Sequence, residues 1–184
     1  QTGIGSSSKI GNKFQKDVVA ILNLTILNTK YAGGQNQPDG IGIIYKYGRE
    51  KTRWFPLEIK TFKPSGDNDT FYPVKEALRQ IEKYVTAMQS QEVTALVEVP
   101  AYLLIAYDFN RESIEEKNLI QEFERKYRVK IIEFPLNSII NVLNHFISSE
   151  IYNIPQDDVE KFLTSSGYIS EKEVENFFTE IEKK

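Results

Sequence analysis

The chain has 184 residues, 40% hydrophobic and 27% charged, which suits one soluble globular domain that buries a core without covalent staples. It has no cysteine, which excludes a disulfide framework, a thiolate metal site and a cysteine nucleophile, and fits a cytoplasmic setting. No apolar run approaches the roughly 18 residues of a membrane span, no signal peptide opens the chain, and a net charge of -3 argues against a strongly basic, indiscriminate nucleic-acid binder.

The first residue is Gln1 rather than Met, so a fragment or a processed product is expected, and QTGIGSSS reads as a flexible leader. Ile10, Phe14, Val18, Ile21 and Leu22 fall near a helical period and predict an amphipathic helix over residues 9–28. The run YAGGQNQPDG breaks it. Residues 40–47 predict a strand, YGRE a turn, and 53–62 a second strand interrupted or edged at Pro56. After the polar loop KPSGDND, Pro73 sits where a helix start tolerates proline, and Leu78, Ile81, Val85 and Met88 carry helical spacing over 74–89. Residues 101–109 predict a buried strand, 112–127 a charged helix, 129–134 a further strand and 136–148 an apolar-periodic helix. Pro155 marks a boundary before two short helices, 156–164 and 170–182, the second opened by a Ser170–Glu173 capping box. The order predicts an α/β fold with a mixed sheet, an antiparallel hairpin extended by crossover strands. Residues 1–154 are its core and 155–184 a helical segment packed on the same domain.

Charge is unevenly spread. From Ile154 onward there are eight acids and four bases, whereas residues 46–63 hold six bases (Lys46, Arg49, Lys51, Arg53, Lys60, Lys63) and two acids (Glu50, Glu58). That segment reads either as a solvated hairpin or as a phosphate-facing surface, with Lys46, Arg53 and Lys63 as candidate DNA contacts.

The residues that carry chemistry are Pro38-Asp39-Gly40 and Glu58-Ile59-Lys60. Alternate strand residues share a face about 6.6–6.8 Å apart, so Glu58 and Lys60 point one way and Ile59 points into the core. With Gly48 and Arg49 at the centre of a two-residue turn, Asp39 falls directly across from Glu58, with Cβ atoms about 4.5–5.5 Å apart. A one-residue slip would separate them, and Pro56 warns of a bulge. Opposed carboxylates repel unless a proton or a cation intervenes. A hard divalent cation such as Mg2+ suits oxygen ligands and keeps waters and phosphate oxygens in its shell. Spacing alone equally describes a turn aspartate and an exposed Glu/Lys pair on an edge strand.

At these residues the chain resembles the PD-(D/E)XK nuclease superfamily, whose signature is Pro-Asp, a spacer, Asp or Glu, any residue, and Lys. The resemblance extends to the cleavage domain of FokI-like type IIS restriction endonucleases. It is carried by GGQNQPDGIGIIY, by LEIKTF (with Glu58 where that family has Asp), by ALRQIEKYV, by YLLIAYDF and by VEKFLTSSGYISEKEVENFF, in order over residues 9–178. It implies a restriction-endonuclease-like core and Mg2+-dependent (Mn2+ as substitute), non-site-specific cleavage of double-stranded DNA. Asp39 and Glu58 would bind the metal, and Lys60 would be the catalytic lysine. A separate recognition domain or larger subunit would supply specificity. Such domains pair through the helix after the catalytic strand, so a transient homodimer is expected. The matching positions, Arg79 and Lys83, are both basic here, unlike the family's Asp and Arg. Other readings of the same residues are a repair or branched-DNA nuclease of this superfamily and a non-catalytic DNA- or protein-binding module.

Gln80 and Tyr84 resemble the Gln-x-x-x-Tyr motif of other branches, which makes Gln80 a candidate DNA contact; such helix pairs more often pack. Some branches carry an acid on the first helix, where this chain offers Gln15 and Asp17. His145, the sole histidine, and Trp54, Tyr102 and Tyr107 are expected to be structural. SGDND lacks the spacing of a calcium loop and reads as a mobile loop near the site.

Overall fold

The computed structural model describes residues 4–33, 36–46, 50–60, 73–89, 97–149, 151 and 153–184, with backbone alone at 4–10 and 89. In chain order these form α1 (Ile4–Thr25), β1 (Asn28–Tyr31), β2 (Gly40–Ile44), β3 (Thr52–Ile59), α2 (Val74–Gln89), β4 (Val97–Glu98), β5 (Tyr102–Ala106), α3 (Ile114–Tyr127), β6 (Ile131–Pro135), α4 (Leu136–Ser148), α5 (Gln156–Ser165) and α6 (Glu171–Glu182). The turn at 48–49, the segment 63–69 and Lys63 lie outside the described residues.

The sheet order is β1-β2-β3-β5-β6, with β4 beside the start of β3. Strands β1, β2 and β3 are antiparallel, whereas β3, β5 and β6 are parallel. The sequence of β5, Tyr-Leu-Leu-Ile-Ala, is buried throughout, as a parallel strand covered on both faces requires. Alternation then sorts the side chains. Leu103 and Ile105 join Phe55, Leu57, Ile59, Ile132 and Phe134 against α1, α4, α5 and α6. Tyr102, Leu104 and Ala106 join Ile131 against α2 and α3. The result is a mixed sheet between two helical layers, the α/β architecture expected. Among the described residues no helix is long and apolar enough to cross a membrane.

The C-terminal helices belong to the first of these layers: Val159, Phe162 and Leu163 of α5 and Val174, Phe177, Phe178 and Ile181 of α6 lie in the same core cluster as α1. Ser170 and Glu173 form the capping box that starts α6. Residues before α6 also cover the outer edge of β6, through Glu133 N–H to Gly167 O and Ile169 N–H to Glu133 O, each 2.9 Å.

Several expectations are corrected. The helix begins at Ile4, so residues 4–8 are helical rather than a flexible leader, and it ends at Thr25 rather than residue 28. Strand β1 was not foreseen: Asn-Thr-Lys-Tyr has one buried residue, Thr29, and no apolar alternation to announce it. The two-residue β4 carries no periodic signal either. Pro56 makes no bulge. It pairs with Ile41 in a regular ladder and falls between the stretches of β3 that pair with β4 (Thr52, Arg53) and β5 (Leu57 onward), where no N–H is needed. Tyr102 is buried, but Tyr107 is 54% exposed, because it lies one residue beyond the end of β5. His145 stacks on Phe178 at 5.0 Å, a packing role.

Candidate active site

The hairpin register sets the site. Gly40 pairs with Leu57, and one further step places Asp39 opposite Glu58. The ladder ends there because the Asp39 side chain replaces a backbone acceptor. Asp39 N–H donates to Leu57 O at 2.9 Å, and Asp39 Oδ2 accepts from Ile59 N–H at 2.7 Å. Gly40 permits this closeness: a Cβ there would meet Leu57 and Val19 side-chain carbons at 3.0 Å.

Glu58 is 2% exposed on the α2 face of β3, beside the apolar Leu104. A buried carboxylate needs partners. Glu58 Oε2 accepts a 2.9 Å bond from the Tyr84 hydroxyl, and Glu58 Oε1 is ion-paired with Lys60 Nζ. Lys60 itself is anchored by its N–H to Ile105 O at 2.8 Å. Asp39 Oδ1 accepts from Gln15 Nε2 at 2.9 Å, and the same Gln15 amide donates to Ile59 O at 3.3 Å. Each carboxylate is therefore held by a neutral donor, one from α1 and one from α2, the helices of opposite layers.

Burial, and next the negative charge of Glu58, push the Asp39 carboxyl up to about 6; the Ile59 N–H bond and Lys60 pull it down. Burial and then Glu58 push the Tyr84 phenol above its ordinary range, so it remains a donor. Two close carboxylates and one ammonium thus share the edge of the sheet at the C-terminal end of β3. Among the described residues no group of three or more His, Cys, Asp or Glu converges to hold a metal. Asp39 and Glu58 offer two hard oxygen donors, which fits Mg2+: that ion commonly takes one or two carboxylates and completes its shell with waters and phosphate oxygens.

The structure thus brings together Asp39, Glu58 and Lys60. It adds Gln15 and Tyr84 as their holders. Asp17, the other first-helix candidate, is exposed and paired with Lys13 at 3.0 Å. The signal for Tyr84 was present: a phenol on the same helical stripe as Ile81 and Val85 has to find a hydrogen-bond partner once buried. Gln80 is half-buried, and its carbonyl accepts from Lys83 at 3.4 Å. Lys46 and Arg53 sit at the other end of the hairpin; Arg53 precedes Glu58 by five residues, roughly 17 Å along the strand. Lys46 is paired with Asp157 and Glu160, and Arg53 with Glu98 and Glu160, which ties α5 to the hairpin.

No protein-family model matches the sequence, and no curated protein matches it. Solved structures do match by shape. A structure of restriction endonuclease FokI aligns with a TM-score of 0.56 at 12% identity, covering 84% of this chain and 27% of that one. A structure of FokI bound to DNA aligns with a TM-score of 0.57 at 14% identity, covering 82% of this chain and 27% of that one. The chain therefore spans about a quarter of the length of the proteins it resembles, and its fold is restriction-endonuclease-like, shared with a part of FokI.

Proposed function

We propose that this chain is a Mg2+-dependent endonuclease module that hydrolyses phosphodiester bonds in double-stranded DNA, the cleavage part of a type IIS restriction endonuclease whose sequence recognition lies elsewhere. The observation that supports this most directly is the pairing of two close carboxylates, the half-buried Asp39 and the buried Glu58, with Lys60 on one edge of a FokI-like sheet. Mg2+ held by Asp39 and Glu58 would lower the pKa of a bound water and stabilise charge on a phosphoryl oxygen. Gln15 and Tyr84 fix the two carboxylates from either side. Lys60 balances Glu58 in the metal-free chain; a cation held at Glu58 would take over that balance, and the Lys60 ammonium would then orient the attacking water and offset phosphate charge.

One such centre cuts one strand, so a double-strand break requires a second copy or a rebinding event. Arg79 and Lys83 of α2 are exposed and available to face acids of another copy. The test is plasmid nicking with Mg2+, Mn2+ and chelator, across protein concentrations. Nicking that needs the metal, disappears in Glu58→Ala and Lys60→Ala, and steepens with concentration is expected. Equal cutting in chelator, with metal verified absent, overturns the metal mechanism.

A further inference from the structure

The parallel strands β3, β5 and β6 all end on the edge that carries Glu58 and Lys60, and β6 passes directly into α4. The first turn of α4 is unusual in two respects. No side chain caps it, since its N-cap is Pro135, and it contains no acid. Ser138, in that turn, is 1% exposed, yet its hydroxyl has no hydrogen-bond partner among the described residues. An orphaned buried hydroxyl is costly unless something completes it. Ser138 lines a cavity of about 320 Å³ together with Asn137, Arg111, Lys172, Asp108 and Glu171. The two cations and two acids of that wall balance, and Asp108 Oδ1 is already occupied by Phe109 N–H at 2.8 Å. What favours one sign is the helix end, whose N–H groups and dipole attract anions.

We propose that the first turn of α4, with Ser138 and Asn137, holds a backbone phosphate of the DNA strand that lies across the catalytic edge. This inference rests on the nuclease reading above. Strands β3 and β6 are two places apart, roughly 10 Å. One DNA strand carries a phosphate for about every 3.4 Å of axis, so this phosphate lies within about three nucleotides of the one at Glu58. Arg111 and Lys172 form no ion pair with any described residue and flank the same cavity as further donors.

The test uses the whole chain and a labelled DNA duplex in Ca2+, with Asn137→Asp and Ser138→Ala. An acid in the first turn suits the helix but repels a phosphate; removing an orphaned hydroxyl leaves the fold unharmed. Both variants are expected to melt no lower than the wild type. Each should weaken duplex binding roughly three- to tenfold, as loss of a charge-assisted hydrogen bond does. Asn137→Asp adds one negative charge beside that phosphate and beside Arg111 and Lys172, so the slope of log affinity against log salt should become shallower, by up to about 0.9. Binding curves and salt slopes that superimpose on those of a wild type that nicks DNA overturn this subsite alone. A wild type that neither binds nor nicks DNA overturns the nuclease reading and this one with it. A large drop in melting temperature of Ser138→Ala also overturns it, by giving the hydroxyl a structural partner.

Discussion

The Tyr84 hydroxyl donates 2.9 Å to Glu58 Oε2, so the carboxylate at the centre of the site is fastened to α2 by a neutral bond while Lys60 takes its other oxygen. Tyr84 is 6% exposed, and removing its hydroxyl takes from that buried oxygen the neutral donor it has. Tyr84→Phe should therefore cost about 1–3 kcal/mol of stability. Its nicking rate should fall, but less than in Glu58→Ala, because the carboxylate remains and only its orientation loosens. Thermal unfolding and nicking rates measured together check this. An unchanged melting temperature would mean that Glu58 does not depend on Tyr84.

Gln15 bridges Asp39 and the Ile59 carbonyl without adding charge. Gln15→Glu places a third carboxylate beside two that already repel. The metal-free chain should be less stable and Mg2+ or Mn2+ should bind more tightly, since each added hard oxygen favours the cation. Calorimetric Mn2+ titration alongside melting in chelator reads both changes. Weaker or equal Mn2+ binding by Gln15→Glu would count against a cation at Asp39.

Much of this arrangement was legible in residues alone, and the reasons are local. Alternation in Glu58-Ile59-Lys60 fixes which side chains share a face, and the hairpin register carries Asp39 to Glu58 even though the turn at 48–49 lies outside the described residues. Helices 74–89 and 136–148 were marked by apolar periods and begin and end as expected. What was not legible depends on distance in sequence. Gln15 meets Asp39 only because α1 packs back over the hairpin, and nothing in FQKD distinguishes Gln15 from Asp17 beforehand. The ion pairs of Lys46 and Arg53 were not legible either, because Glu160, their shared partner, is more than a hundred residues away. Strand β1 owes its place to β2 rather than to its own side chains.

A second titrating group lies away from the catalytic centre. Burial, then the charge of Glu116, raises the Glu133 carboxyl to about 7, against opposing pulls from Arg111 and Lys117. Its folded value is above its unfolded one, so the fold binds the proton more tightly. That contribution is complete below the unfolded value of about 4.5 and is lost as pH rises toward and through about 7. By pH 8 the loss is on the order of 3 kcal/mol. Glu133→Gln should accordingly melt higher than the wild type at pH 8 and nearly alike at pH 4. A variant that gains equally at both pH values would assign the effect to something other than ionisation.

In chelator Asp39 and Glu58 repel in a partly dry site, and Asp39 is raised to about 6 first by its burial and then by the charge of Glu58. Asp39→Asn keeps an oxygen acceptor and removes one charge, so the metal-free variant should melt at or above the wild type near neutral pH. Mg2+ should then raise the wild-type melting temperature, because it binds the folded site and not the unfolded chain. The same addition should do little for Asp39→Asn or Glu58→Ala. Nicking should be lost in both variants and in Lys60→Ala. Combining two of these changes should cost scarcely more than one, since groups that act as a unit lose their function together. Lys60→Ala separates the two roles: it keeps both carboxylates, so it should retain the stabilisation by Mg2+ while losing the chemistry. Melting curves with and without Mg2+, set beside nicking rates for the single and double variants, decide the matter. Full Mg2+ stabilisation of Asp39→Asn would place the cation elsewhere, and wild-type nicking by Lys60→Ala would remove the lysine from the mechanism.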